Sequence, residues 1–319
     1  MKKRFRTSRF LAGAVALLAT GLLLAACGEQ EQATGTAPEG SKLRIVTTIA
    51  QIAEPLSVIG GDQVQVESLM GAGVDPHLYN ATQGDIRKLE ESDMIFYSGL
   101  HLEANLIRAF EEIGKTKPTL GIGETVPVDQ LLKDEEGNVD PHIWFDIDLW
   151  KQGLSAATEK LKELSKEHAD YFEANKVKYF AQLDALKKKS IDKIGEIPQD
   201  KRVLITAHDA FRYFGRMLNL KVIGLQGLST EDEVGLTDIE DTVKLLMEHK
   251  VPAVFVESSI NPASIQAVIE GAKKQGLDVK QGGELFSDAM GAAGTSEGTY
   301  QGMYSHNVET IYHALIGGE

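Results

Sequence analysis

The sequence has only one cysteine, so the chain cannot form an internal disulfide bond. Basic residues are also scarce, because 33 lysines and arginines stand against 47 aspartates and glutamates in 319 residues. Five of the basic residues lie within residues 1–26, which contain no acidic residue, and removing that segment takes the formal net charge from −14 to −19. This acidic balance disfavours nucleic acid as a partner.

A long apolar run occurs only near the start of the chain, from Leu11 to Ala26, after a positively charged segment. The run is too short to predict a membrane span, and residues 1–26 are typical of a signal peptide. It ends in Leu-Ala-Ala-Cys27, which resembles the processing box of bacterial lipoproteins. That resemblance implies cleavage before Cys27, a lipid on its thiol and an extracytoplasmic protein anchored to the bacterial membrane. The alternative is an ordinary secretory signal followed by an unmodified cysteine.

The stretch after the signal has no bulky apolar side chain, so it cannot bury enough surface to fold. We therefore predict that residues 27–41 form a flexible tether between the membrane and the folded part.

Short runs rich in apolar and β-branched residues alternate with amphipathic stretches over the remaining chain. The predicted strands are residues 43–48, 64–70, 94–97, 203–207, 221–225, 253–257 and 278–282. Amphipathic, helical patterns cover residues 83–91, 238–249 and 262–275. This alternation predicts an α/β fold with parallel sheets flanked by helices.

A long helix is predicted in the middle of the chain. Residues 169–194 contain neither glycine nor proline and place apolar residues at helical spacing: Phe172, Val177, Phe180, Leu183, Leu186 and Ile191. We predict two α/β lobes, residues 42–167 and 197–319, joined by one long rigid α-helix over 168–196. The alternative is an ordinary surface helix within a single domain.

Two copies of one tripeptide supply the first candidate metal ligands. Asp75-Pro76-His77 and Asp140-Pro141-His142 are each followed by an aliphatic and then an aromatic residue. Proline fixes its own φ and restricts the residue before it, so each histidine is predicted on a stiff, non-helical turn. Such rigid presentation suits a metal ligand, whereas a single copy would indicate only a turn.

Two further candidates follow predicted strands of the second half. His208 directly follows the run Val203–Ala207, at the edge where open α/β sheets place ligands. Asp288 comes shortly after the last predicted strand. An isolated aspartate in that setting is also a common helix cap. Three imidazoles and one carboxylate together would suit a borderline first-row ion such as zinc or manganese rather than magnesium, calcium or copper(I).

Seven motifs strengthen this interpretation: DPHLYNAT, SGLHLE, DPHIWFD, TAHDAFRYFGR, GLQGLSTEDE, VFVESSINP and GGELFSDAMGAAGTSEGTY. In this order they resemble the TroA-type (cluster A-I) metal-binding lipoproteins, which serve zinc and manganese ABC importers. The resemblance runs from about residue 43 to the C-terminus. It implies two lobes joined by a long helix, one ion between them, an ABC permease as partner, and ligands His77, His142, His208 and Asp288.

The resemblance leaves the choice of metal open. Many manganese-specific members carry glutamate where this chain has His208, which keeps zinc in contention. Residues 124–139 lack the histidine-rich loop of many zinc-dedicated members. We therefore expect Zn²⁺ or Mn²⁺ as the bound solute of a monomeric protein.

Other residues near these motifs are expected to surround the ligands rather than to bind the ion. Glu257 is a candidate for orienting a ligand imidazole, or equally a satisfied carboxylate at the end of a strand. His101 is expected to have a structural or outer role. Trp144 and Trp150 are expected to close the core beside the site.

Two other functions compete with metal capture for import. A metallohydrolase would need three ligands, a water and a nearby glutamate, but the H-E-x-x-H motif of zinc proteases is absent. A surface adhesin is the other alternative, because some members of the resembled family are described as binding host matrix proteins. No feature of this sequence indicates adhesion directly.

Overall fold

The computed structural model describes residues 42–317, so the predicted signal peptide, Cys27 and the tether lie outside the described residues. Within residues 42–317, no helix is both long enough and apolar enough to cross a membrane.

The described chain forms eight strands and nine α-helices, which alternate except that two helices in succession separate the fourth strand from the fifth. The strands are β1 Leu43–Thr47, β2 Val64–Ser68, β3 Met94–Tyr97, β4 Thr119–Gly121, β5 Val203–His208, β6 Lys221–Gln226, β7 Ala253–Glu257 and β8 Lys280–Leu285. The helices are α1 Ala50–Gly60, α2 Gln83–Glu91, α3 Ile107–Ile113, α4 Ile147–Leu164, α5 Ala169–Gly195, α6 Arg212–Leu218, α7 Leu236–His249, α8 Ala263–Lys274 and α9 Tyr300–Ile316. The predicted α/β class is confirmed.

The first half of the chain contains a four-stranded parallel sheet in the order β2-β1-β3-β4. The central strand β1 buries all but one of its residues, as expected for a strand covered on both faces. The loops that leave the carboxyl ends of these parallel strands therefore emerge at one edge of the sheet.

The second half contains two parallel strand pairs, β5-β6 and β7-β8, with β5 lying beside β7. His208 is the last residue of β5 and Glu257 the last of β7, so both side chains lie at the same edge. The parallel arrangement is as predicted, and among the described residues the four strands are paired in twos rather than in one continuous ladder.

Helix α5 is a single helix of 27 residues, about 40 Å long at ~1.5 Å per residue. It packs against α1 and α4 from the first half and against α6 and α9 from the second. Its buried face consists of Phe172, Tyr179, Leu183, Leu186, Ser190 and Ile194. Two of the apolar residues that the sequence places at helical spacing, Val177 and Ile191, lie off the line that contacts the neighbouring helices and are 59% and 40% exposed.

The apolar core extends across α5 into the second half of the described chain. One cluster combines the β1 and β3 core with side chains of α6 and α9, whereas a second cluster lies within residues 203–279. The lobe boundaries stay a prediction.

Several elements differ from the sequence interpretation, and three of them show why. Strand β4 was not predicted, because three residues are too few to display an alternating pattern. Helix α4 was not among the predicted helices, although it buries a stripe that includes Trp150. Strand β8 lies two to three residues later than predicted, because its two glycines and a bulge opposite Val254–Val256 weaken the strand pattern.

Candidate metal centre

Four side chains converge between the two halves of the described chain. One ligand atom from each of His77, His142, His208 and Asp288 lies within 4.8 Å of the other three. All four residues are at most 3% exposed. The structure thus brings together the four residues singled out from the sequence, two from before α5 and two from after it.

The Asp288 carboxylate lies at the centre of this cluster. Its Oδ1 is 3.3 Å from Nε2 of His142, and its Oδ2 is 3.2 Å from Nε2 of His208 and 3.7 Å from Nε2 of His77. Both carboxylate oxygens therefore face imidazole nitrogens. Three nitrogens around one carboxylate form the mixed donor set that suits a borderline divalent cation.

Each Asp-Pro-His segment folds as a turn in which the aspartate binds the histidine backbone. The amide of His77 donates to Oδ1 of Asp75 at 2.9 Å, and the amide of His142 donates to Oδ1 of Asp140 at 3.0 Å. Only at Asp140 does the same oxygen also contact the ring, at 2.8 Å from Nδ1 of His142. The two copies of the motif thus share a backbone turn but differ in how they hold the imidazole.

The second Asp-Pro-His turn is fixed by tyrosines of the second half. Tyr213 donates its hydroxyl to the carbonyl of Asp140 at 3.0 Å, and Tyr300 donates to the carbonyl of Trp144 at 2.5 Å. Trp144 also packs edge-on against the His142 ring, with the two ring centroids 5.3 Å apart. The expectation that Trp144 closes the core beside the site is met by this contact, whereas Trp150 packs on Tyr300 farther along α4.

His208 is held by Glu257 from the neighbouring strand. Its amide donates to Oε1 of Glu257 at 2.9 Å, and its Nδ1 lies 2.6 Å from Oε2. A carboxylate at Nδ1 fixes the tautomer and leaves Nε2 facing the cluster. The structure therefore places Glu257 where it orients a candidate ligand.

The pKa values of the cluster follow from burial and from these contacts. Burial lowers the pKa of His77 to about 3. Burial acts in the same direction on His142, but hydrogen bonds with Asp140 and Asp288 outweigh it and raise the pKa to about 9. His208 shows the same balance, with Glu257 and Asp288 raising its pKa well above the ordinary value.

Asp288 responds in the opposite sense. Burial would raise its pKa, but His208 and His142 together hold it well below the ordinary range. The carboxylate is therefore charged and faces the protonated imidazoles of His142 and His208. A divalent cation that enters the cluster has to displace those protons.

His101 is not part of the cluster. It lies on an exposed turn where Leu100 and His101 both have positive φ, and no hydrogen bond connects it to the four side chains within the described residues. In the same motif Glu103 is the buried residue, since it accepts hydrogen bonds from Thr48 and from the amides of Ser98 and Gly99. The carboxylate, not the histidine, organises the loop after β3.

Sequence reasoning missed several residues that hold the site. The ring contact of Asp140 was not foreseen, although its place in the repeated tripeptide was the available signal. Thr230 donates to Oδ2 of Asp75 at 2.6 Å and so links the two halves beside His77. Gln51 reaches the carbonyl of Ser287 from 236 positions away, and no sequence signal points to that contact.

Comparison with known proteins agrees with this geometry. A family model described as zinc-uptake complex component A, periplasmic (ZnuA), matches residues 45–314. The manganese-binding lipoprotein MntA of Bacillus subtilis (strain 168) is 48% identical over 275 residues, which are 86% of this chain and 90% of MntA. The zinc-binding protein TroA of Treponema pallidum (strain Nichols) is 43% identical over 279 residues, or 88% of this chain and 90% of TroA.

The fold is also that of a solved relative. The structure of the periplasmic zinc binding protein TroA from Treponema pallidum matches with a TM-score of 0.85 at 43% identity, covering 86% of this chain and 99% of that one. The relatives are named for two different metals, so the likeness alone does not separate zinc from manganese.

Proposed function

The chain belongs to the ZnuA family of zinc-uptake components, and from this premise we propose that it is the solute-binding lipoprotein of an ABC importer for a divalent transition metal. It binds one zinc or manganese ion through His77, His142, His208 and Asp288 and delivers the ion to a membrane permease. The observation that supports this most is the convergence of four buried ligand atoms within 4.8 Å.

The chemistry of the cluster supports capture of a borderline cation. Three imidazole nitrogens and one carboxylate match the ligands that zinc accepts at ~2.0–2.2 Å. Magnesium and calcium, which prefer shells made only of oxygen, fit poorly. Burial of all four side chains means that the ion exchanges its whole hydration shell for protein atoms.

The origin of the ligands supports a carrier. His77 and His142 precede α5, whereas His208 and Asp288 follow it, so one ion ties both halves of the chain together. Release to a permease then requires these halves to loosen around the ion. We propose a monomer anchored outside the cytoplasm through a lipid on Cys27, as the names of lipoprotein relatives suggest.

An enzymatic role finds little support. The donor set provides four protein ligands, whereas catalytic zinc sites typically have three protein ligands and a water. The pattern G-x-S-x-G of hydrolases does occur at residues 294–298. However, Ser296 lies on an exposed turn before α9 rather than between a strand and a helix, and no histidine contacts it among the described residues.

The function is tested by metal uptake in cells that lack the gene. The wild-type chain should restore accumulation of radioactive zinc or manganese, and the purified protein should bind one ion per chain. His208→Ala should abolish both, while His313→Ala, which removes an exposed histidine of α9, should leave both unchanged. Full uptake and binding by His208→Ala would refute the proposal.

The anchor needs a separate experiment. Cys27→Ser should release the protein from the membrane fraction without changing its affinity for metal. Retention of the variant in the membrane fraction would contradict lipidation at Cys27.

A further inference from the structure

The Asp288 carboxylate is held in place by other means than the imidazoles around it. His142 and His208 each have a carboxylate at Nδ1, whereas within residues 42–317 neither oxygen of Asp288 has a hydrogen-bond donor besides the imidazoles it faces. The direction of this carboxylate therefore depends on how its backbone is held.

The backbone before Asp288 is held from both halves of the chain. The carbonyl of Ser287 accepts two hydrogen bonds, from Nε2 of Gln51 at 3.2 Å and from Nε1 of Trp144 at 3.2 Å. On the residue before it, Asn307 accepts from the amide of Phe286 at 2.9 Å and donates to its carbonyl at 2.7 Å. Gln51, Trp144 and Asn307 are all fully buried.

A buried glutamine at position 51 lowers the stability of the fold unless its side-chain amide makes a useful interaction. It lies in the first turn of α1 with no exposed surface, and its Oε1 has no hydrogen-bond partner among the described residues. An unpaired buried carbonyl oxygen lowers stability, so an apolar side chain of equal length would pack better. Within residues 42–317 the side chain makes one hydrogen bond, to the carbonyl of Ser287.

The orientation of Asp288 agrees with these hydrogen bonds to the backbone before it. With Ser287 fixed, Oδ1 faces His142 and Oδ2 faces His208 and His77, so both oxygens are presented to the cluster. A tetrahedral zinc site with three imidazoles needs only one carboxylate oxygen. Manganese is suited by oxygen-rich shells of higher coordination number and gains more from the second oxygen.

We propose that Gln51, together with Trp144, is a positioning residue that holds both oxygens of Asp288 toward the cargo and thereby raises the affinity for manganese relative to zinc. This inference rests on the proposed function. It assigns metal discrimination to two side chains that do not themselves bind the ion.

Gln51→Met tests the inference because it keeps the length of the side chain and removes its donor. The affinity for Mn²⁺ should fall about tenfold, the usual scale for an outer partner of a ligand, and the affinity for Zn²⁺ should fall by less than about threefold. Gln301→Met, which removes a surface contact to Gln182, is the matched control and should change neither. Trp144→Phe should shift the ratio in the same direction, and it serves as the test if Gln51→Met does not fold.

A spectroscopic measurement separates positioning from a purely structural role. Visible absorption of bound Co²⁺ strengthens as the coordination number falls toward four, so it should strengthen in Gln51→Met and stay unchanged in Gln301→Met. Equal weakening of both metals, or an unchanged ratio and cobalt spectrum, would overturn the inference. Failure of the wild-type chain to bind either metal would instead refute the proposed function.

Discussion

The two Asp-Pro-His turns have the same sequence pattern but hold their histidines by different means. His142 is fully buried, its ring contacts Asp140, and its turn is tied to the second half by Tyr213. No carboxylate accepts from Nδ1 of His77 among the described residues, and its turn reaches the second half through the bond from Thr230 to Asp75. A repeated motif therefore produces one fixed ligand and one that depends on a loop.

This difference divides the site into two parts. His142, His208 and Asp288 form a part whose orientation is set by buried partners before an ion arrives. His77 is the fourth ligand and lies on a loop beside residues 227–235. Glu231, Asp232 and Glu233 of that neighbouring segment are exposed. Preorganised ligands bind more tightly because less ordering remains to be done when the ion enters.

The largest effect is expected from the fixed part. Glu257→Gln removes the charge that orients His208, so the affinity for zinc should fall about 10- to 100-fold. Isothermal titration calorimetry measures the change, and Glu270→Gln, at an exposed position of α8, is the matched control. An affinity equal to that of the control would mean that the carboxylate at Nδ1 does not orient the ligand.

A pH dependence should follow from the same contacts. Before an ion binds, the pKa of His142 is raised to about 9 and that of His208 is raised well above its ordinary value, so both carry protons at neutral pH. A metal ion needs neutral imidazoles, so affinity should rise between pH 6 and 8 by about tenfold per pH unit for each proton displaced. Calorimetry in buffers of different ionisation enthalpy counts these protons, and binding without proton release would contradict the assigned charges.

A smaller effect is expected at the loop. Thr230→Val removes the bond to Asp75 while keeping the shape of the side chain, so release of the ion to a chelator should become a few-fold faster with little change in stability. Stopped-flow release measures this rate, with Thr237→Val on the exposed face of α7 as control. If Thr230→Val releases metal at the wild-type rate, the loop does not retain His77.

Much of this site was predictable because its ligands lie in local patterns. The duplicated tripeptide identified His77 and His142, and the end of a strand identified His208, since parallel strands carry their ligands at one edge. Whether the ring of each histidine has a partner was not predictable, because a turn pattern fixes the backbone and not the side-chain direction. The contact of Gln51 with Ser287 joins residues 236 positions apart, and a single sequence does not report such pairs.

The fold, like the site, was predictable where the sequence signal is local. Strand β3 and helix α2 have the predicted bounds, since hydrophobic periodicity and the capping box at Thr82 are local signals. The apolar residues of α5 mark its buried face only in part, because Tyr179 is buried whereas Val177 is exposed. That choice depends on which helices pack there, which periodicity alone does not determine.

Anomalous diffraction at the zinc edge from crystals of the zinc-loaded protein tests the central claim most directly. One peak should lie between His77, His142, His208 and Asp288, with the imidazole nitrogens at ~2.0–2.1 Å from the ion. A fully loaded protein whose peak lies elsewhere, or whose ion contacts ligands from only one half of the chain, would contradict the account.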